Sequence, residues 1–136
     1  MTIPISNAAM LLVLYSLSTS SAQAADTLML ACKGTSIDLT KNDAKPEATF
    51  MGILVNFTTR TVDVSSWPRE ESPIEISEMN DVQITFGDLS RAGDRGILGT
   101  IDRVTGHVLV IDVEVDARTR SVRSNTGYSL DCSPAH

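Results

Sequence analysis

The sequence predicts an all-β fold in which about eight antiparallel strands form an up-and-down barrel or a flattened sandwich. Beyond the N-terminal segment, short runs rich in β-branched and apolar residues alternate with Gly, Pro, Asn and Asp. In that region no stretch repeats apolar residues at three- and four-residue spacing for a dozen positions, as an amphipathic helix requires. The only two cysteines, Cys32 and Cys132, stand near the two ends of the region, where they can join its first and last strands.

Residues 1–24 are expected to be a signal peptide rather than part of the fold. The apolar run at 8–17 is shorter than the roughly 20 residues that cross a bilayer, and the "AQA" at 22–24 has the small residues that precede a signal-peptidase cut. The residues before the run include no Lys or Arg, so an apolar N-terminus on a cytosolic protein stays open as the alternative. The expected location is therefore the periplasm, or outside the cell as a secreted protein.

The remaining segment, 25–136, has the length of a single domain. The chain contains 11 Lys and Arg against 17 Asp and Glu, for a net charge of −6 at pH 7. Because an acidic surface repels phosphate groups, neither nucleic acid nor an anionic membrane is expected as a partner. No second segment is long and apolar enough for a membrane span.

The two cysteines are best explained as a disulfide, since an exported chain with an even cysteine count meets oxidising conditions. Zinc would need four ligands in close pairs, and only His107 and His136 are available to join the cysteines. A catalytic thiol would need a nearby histidine, for which His107 is the sole internal candidate. Lipidation of Cys32 is disfavoured, because Asp26 and a polar stretch separate "LMLAC" from the apolar run.

The residues around the cysteines predict how the strands pair. Alternate residues of an extended chain share one face. Two trios have this spacing, each ending in a cysteine: Leu28, Leu30, Cys32 and Tyr128, Leu130, Cys132. If the two strands run antiparallel, the cysteines lie opposite each other at bonding distance. Closing a loop of about 100 residues is worth roughly 4.7 kcal/mol on the chain-entropy view.

The first five strands follow from alternation and from the turn residues between them. "FMGILVNF" places every second apolar residue on one face, Pro68 and Pro73 bracket a loop, and Asn80–Asp81 marks a turn. A short extended piece at Ser36–Leu39 is also expected within the polar connection after the first strand. The predicted strands are Thr27–Lys33, Phe50–Phe57, Thr61–Ser65, Ile74–Ser77 and Val82–Phe86.

The sixth and seventh strands are expected as a hairpin within "GILGTIDRVTGHVLVIDVEV", and the eighth at about Val122–Cys132. A three-residue turn at Val104–Gly106, with glycine in the left-handed position, would pair Arg103 with His107. Alternation then predicts a core face and a solvent face. The core face would hold Ile97, Ile101, Leu109, Ile111, Val113 and Val115, and the solvent face Leu98, Asp102, Val108, Val110, Asp112, Glu114 and Asp116.

Several segments together resemble a group of small, uncharacterised exported proteins of alphaproteobacteria such as rhizobia. They are "LACKG", "AKPE" followed by "MGILVNF", "NDVQITFG", "GTIDRVTG" and the closing "YSLDC". The likeness covers most of 25–136. It implies export and a β-rich domain with paired terminal cysteines, and it supplies no catalytic residues.

No constellation of residues predicts catalysis, and no cofactor or metal is expected. The acidic positions Asp112, Glu114 and Asp116 point the same way along a strand, but about 7 Å apart per step, too far to converge on one cation. They are therefore interpreted as a solvated face that pairs with nearby arginines. The single tryptophan, Trp67, is the best candidate for a contact with a partner, with a lid over one barrel end as the alternative.

The expected function is that of an exported, non-enzymatic β-domain that binds a protein or a small ligand in the cell envelope. The alternative is an envelope inhibitor of a hydrolase, similar in design to the small barrels that block lysozymes, although "SNTGY" at 124–128 matches their Ser-Gly-x-x-Tyr loop poorly. A remote alternative is an enzyme, which would need His107 grouped with a hydroxyl or a carboxylate in a cleft.

Overall fold

The computed structural model describes residues 26–65, 73–88 and 95–135. The predicted signal peptide at 1–24 and the predicted contact residue Trp67 lie outside the described residues. Within the described ranges, no helix is long and apolar enough to span a membrane.

Eight antiparallel strands close into a barrel, and each pairs with its neighbours in chain order. This confirms the all-β prediction and selects the barrel over the sandwich. The strands are β1 (Thr27–Asp38), β2 (Glu47–Asn56), β3 (Thr61–Val64), β4 (Ile74–Met79), β5 (Gln83–Gly87), β6 (Arg95–Asp102), β7 (His107–Val115) and β8 (Val122–Pro134).

The seam between β1 and β8 closes as predicted. Cys32 lies opposite Cys132, their Cα atoms are 4.1 Å apart, and the two form a disulfide that joins residues 100 positions apart. Cys32 is 4% exposed, and the partly buried Cys132 packs against the core, so the bond joins the seam to the barrel interior. Leu30 and Leu130 flank it on the same inner face, as the alternation predicted.

Two strands extend beyond their predicted bounds into polar sequence. β1 runs through Ser36 to Asp38, so the predicted short extended piece is the continuation of β1. β2 begins at Glu47, inside the segment expected to be a polar connection. The reason is that the second half of β1 pairs on both sides, with Ser36 opposite Glu47 of β2 and opposite Tyr128 of β8. Backbone pairing therefore decides the strand bounds where side-chain hydrophobicity does not.

The predicted register of the β6–β7 hairpin is wrong by one residue. Ile101 pairs with Val108, and residues 103–106 connect the two strands. The Asp102 carboxylate accepts hydrogen bonds from the backbone N–H groups of Val104 (2.9 Å) and Thr105 (3.0 Å), and the Asp102 carbonyl accepts one from Gly106 (2.9 Å). Gly106 adopts φ +77°, the left-handed conformation expected of it.

This shift exchanges the two faces of β7, because side chains alternate along a strand. Val108, Val110 and Asp112 are buried at 0%, 1% and 8% exposure, although all three were predicted to face solvent. Leu109 and Ile111, which were predicted to lie in the core, are exposed at 51% and 38%.

One half of the barrel interior is filled with apolar side chains. We call it the clasped half because it contains the disulfide, and its inner face includes Leu30, Cys32, Ile53, Phe86, Val108 and Val110. Phe86 packs directly on Gly99 of the neighbouring strand, where a Cβ atom would collide with the aromatic ring. An eight-stranded barrel is just wide enough for side chains to fill it. The largest fully buried side chains belong to Phe86, Ile53, Ile84, Leu130, Val55, Val62, Val64, Val108 and Val110.

Candidate functional site

The inner face of the barrel becomes polar at the end where β1 and β7 finish and where β2, β6 and β8 begin. Along β8 the inward positions change from Leu130 to Tyr128 and then to Thr126, while along β7 they change from Val110 to Asp112. We call this end the polar mouth, and it comprises Ser36, Asp38, Glu47, Thr49, Arg95, Asp112 and Thr126.

The deepest charged group of the polar mouth is Asp112. Its carboxylate accepts two hydrogen bonds from Arg95, from Nε to Oδ1 (3.0 Å) and from Nη2 to Oδ2 (2.6 Å). The side chains are 11% and 24% exposed, so the pair is largely withdrawn from water. A two-bond geometry of this kind is the strong form of an ion pair, and it satisfies a carboxylate that burial would otherwise penalise.

Hydroxyl groups line the neighbouring wall of the polar mouth. The Thr49 hydroxyl donates to Ser36 Oγ across the β1–β2 pair at 3.0 Å. Asp38 lies directly opposite Thr126 in the β1–β8 ladder. Since hydroxyls both donate and accept, this wall can adapt its hydrogen bonds to a ligand.

The loop between β1 and β2 borders the polar mouth and is fixed by Asp38. The Asp38 carboxylate accepts hydrogen bonds from the hydroxyl (2.6 Å) and the backbone N–H (2.9 Å) of Thr40, and Lys41 Nζ lies 3.7 Å from its other oxygen. The hydrogen bonds from Thr40 are the main reason that the pKa of Asp38 falls below its ordinary value of 3.8, so the group is ionised at neutral pH.

Between this loop and the rim of the barrel lies a cavity of about 280 Å³. That volume is close to the lower end of the range of small-molecule sites, and barrel mouths are a common place for such sites. The cavity is lined by Ser36, Ile37, Asp38, Lys41, Ala44, Lys45, Glu47 and Thr126.

His107 is grouped with a hydroxyl and a carboxylate, which the sequence did not predict. Its Nδ1 lies 3.1 Å from Asp131 Oδ1, and its Nε2 lies 3.4 Å from Ser129 Oγ. The grouping sits on the outer surface, where the Asp131 side chain is 83% exposed. Ser129 pairs with Thr35 on one side and Leu109 on the other, so the backbone N–H groups around it belong to the sheet. Donors that would stabilise an oxyanion are therefore not placed there by the backbone.

The predicted acidic stripe is not a solvated outer face, because Asp112 and Glu114 share the inward parity of β7. Asp112 points inward, while Asp116 caps the β7–β8 turn through hydrogen bonds from the backbone N–H groups of Arg118 (2.9 Å) and Thr119 (3.3 Å) and pairs with Arg123 (3.0 Å). The pairing with Arg123 was among those expected from the sequence. Across the described ranges, no group of three or more His, Cys, Asp or Glu side chains is arranged to hold a metal ion.

The outer surface of β1, β6, β7 and β8 is apolar near the middle of the barrel. Leu98 lies there as predicted, whereas Val108 and Val110, also expected on this surface, lie inside. The other members are Leu109, Ile111, Ile37 and Leu39, which surround Gly127 of β8.

The segment "SNTGY" at 124–128 lies within β8 rather than in a loop, and Tyr128 packs against the core. Residues 124–128 therefore do not form the exposed loop that a lysozyme-inhibitor motif would require.

Sequence reasoning missed the polar mouth, although a signal for it was present. The inward-facing residues of the first strand are apolar at Leu28, Leu30 and Cys32 and become polar at Ser36 and Asp38. Those of the last strand change in the same way, from Leu130 to Thr126. Polar residues at the inward-facing positions of both β1 and β8 indicate that one end of the barrel interior is polar.

Comparison with known proteins finds no protein family, no curated protein and no solved structure that matches this chain.

Proposed function

We propose that this protein is an exported, non-enzymatic binding domain of the cell envelope, and that it binds a small polar ligand at the polar mouth. The disulfide is consistent with an oxidising compartment outside the cytoplasm, as structural disulfides rarely persist among reduced thiols. The proposal of a signal peptide at 1–24 agrees with that compartment.

The observation that carries this proposal is the division of the barrel interior. In the clasped half, apolar side chains such as those of Phe86 and Ile53 are 0% exposed and pack against one another in the interior. In the polar mouth, charged and hydroxyl side chains face a cavity of about 280 Å³. A concave site with a few convergent polar groups is the arrangement that small-ligand sites share.

The test is a thermal-shift screen of the disulfide-intact protein against a library of small metabolites, followed by amide NMR of each hit. We expect at least one compound to raise the melting temperature and to shift the amide signals of Ser36 and Thr126 while those of Leu109 stay unchanged. A screen without hits would contradict the proposal, as would hits that shift only the signals of the outer surface.

A further inference from the structure

We infer that the ligand of the polar mouth is a zwitterion, that is, a free amino acid or short peptide with an ammonium and a carboxylate group. The inference rests on the proposed function and specifies the chemistry of the same site. It follows from the charges of both signs that line the cavity and from which of them are already paired.

Charges of both signs line the cavity. Lys41 and Lys45 are cationic, and Asp38 and Glu47 are anionic. Lys41 Nζ lies 3.7 Å from Asp38 Oδ2, and Asp38 Oδ1 already accepts two hydrogen bonds from Thr40. These two charges are therefore largely engaged within the loop.

Lys45 and Glu47 remain as the charges available to a ligand. In the part of the chain that the structure describes, neither side chain takes part in an ion pair. They are two residues apart where the loop enters β2, on either side of Pro46, which holds this entry extended. Both line the cavity, together with the hydroxyls of Ser36 and Thr126.

The presence of both signs of charge discriminates between classes of ligand. A simple anion would pair with Lys45 but would be repelled by Glu47 and Asp38. A simple cation would pair with Glu47 but would be repelled by Lys45 and Lys41. An uncharged polyol would displace water from both charges without replacing its hydrogen bonds. A zwitterion pairs with both charges at once, and its size suits a cavity of about 280 Å³.

Binding is expected to be weak, because both charged side chains are exposed and solvent screens their attraction. A dissociation constant of about 1 mM is the scale that such contacts support. Affinity of that order is measurable by amide NMR titration.

The experiment titrates the disulfide-intact protein with L-alanine, N-acetyl-L-alanine, L-alaninamide and glucose, and follows the amides of Ser36 and Thr126. We expect L-alanine to bind, and we expect each blocked derivative, which lacks one charge, to bind at least about tenfold more weakly. Lys45→Gln should remove the preference for L-alanine over L-alaninamide, and Glu47→Gln should remove the preference for L-alanine over N-acetyl-L-alanine. Lys33→Gln, which removes a charge from the outer surface of β1, should change neither preference.

The outcomes separate this inference from the proposed function. If glucose or another uncharged compound shifts the mouth amides and L-alanine does not, the zwitterion is overturned while the binding function stands. If L-alanine binds but both preferences survive in the Lys45 and Glu47 variants, the assigned contacts are wrong and the inference falls. If neither these probes nor the metabolite library shifts Ser36 and Thr126, both proposals fail.

Discussion

The clasped half and the polar mouth are built from the same eight strands, yet their inner faces are opposites. In β7 the inward residues are Val108 and Val110 in the clasped half and Asp112 in the mouth. In β1 they are Leu30 and Cys32, and then Ser36. The backbone ladder continues across the change, so it is the side chains alone that divide the barrel.

The difference separates stability from binding. The clasped half buries apolar surface and contains the disulfide, so changes there should lower the free energy of unfolding and leave recognition at the polar mouth intact. The polar mouth contributes fewer apolar contacts and exposes its charges, so exposed positions there should affect binding more than stability.

The largest effect is expected from removing the disulfide. The bond closes a loop of 100 residues, and on the chain-entropy view the variant Cys32→Ala/Cys132→Ala should lose about 4–5 kcal/mol of unfolding free energy. Urea denaturation followed by circular dichroism measures this loss. Wherever the variant is still folded, ligand-induced shifts at Ser36 should persist. A loss below about 1 kcal/mol would show that the seam is held by the β1–β8 ladder alone.

A somewhat smaller loss is expected from Phe86→Ala. The ring is 0% exposed and packs on Gly99, so its removal should cost about 3–5 kcal/mol through lost burial and the cavity it leaves. Phe50→Ala is the matched control, because Phe50 is 75% exposed and its loss should change stability by no more than about 0.5 kcal/mol. Equal effects in urea denaturation would contradict the assignment of the core.

The seam of the barrel was predictable because its signal is local and repeated. Leu30 and Cys32 in β1, and Leu130 and Cys132 in β8, share parity within each strand, and the disulfide fixes which strands meet. Once the two end strands are neighbours, short connections leave a sequential barrel as the simplest closure.

The face of β7 was not predictable from alternation, because alternation leaves two registers that differ by one residue. The choice is made by Asp102, whose carboxylate caps the turn and moves the first pair to Ile101 and Val108. Apolar residues stand at both parities of this strand, so hydrophobicity favours neither register. The polar mouth was missed for a related reason, since Ser36 and Thr126 become neighbours only when β1 and β8 pair.

The third prediction concerns Asp112, the buried charge that this register places in the polar mouth. Asp112→Asn removes the carboxylate that accepts two hydrogen bonds from Arg95, and the Asp112 side chain is only 11% exposed. We expect the free energy of unfolding to fall by about 2 kcal/mol, a value between those of surface and fully buried ion pairs. Urea denaturation measures this loss. The double variant Arg95→Met/Asp112→Leu should recover much of it, because it replaces both largely buried charges with apolar side chains. A double variant as unstable as the single one would contradict this account.

The smallest effect is expected from the turn aspartates, one at each end of the barrel. Hydrogen bonds from the backbone of Thr105 and Val104 lower the pKa of Asp102 below 3.8, and hydrogen bonds from Thr40 do the same for the pKa of Asp38. A lowered carboxyl pKa means that the folded state favours the ionised form. The resulting stabilisation is present above about pH 4 and is lost as the pH falls through the folded-state pKa.

Asp102→Asn and Asp38→Asn keep an oxygen acceptor but remove the titrating charge. Each variant should therefore melt below the wild-type protein at pH 7, and the gap should narrow as the pH is lowered to about 2.5. Melting curves by circular dichroism across that range measure the gap. Because both carboxylates cap exposed turns, the two differences in melting temperature should be similar in size. Equal differences would show that turn capping stabilises both ends of the barrel, the clasped half and the polar mouth alike. A gap that stays constant with pH at either position would mean that the lost interaction does not depend on the carboxylate charge.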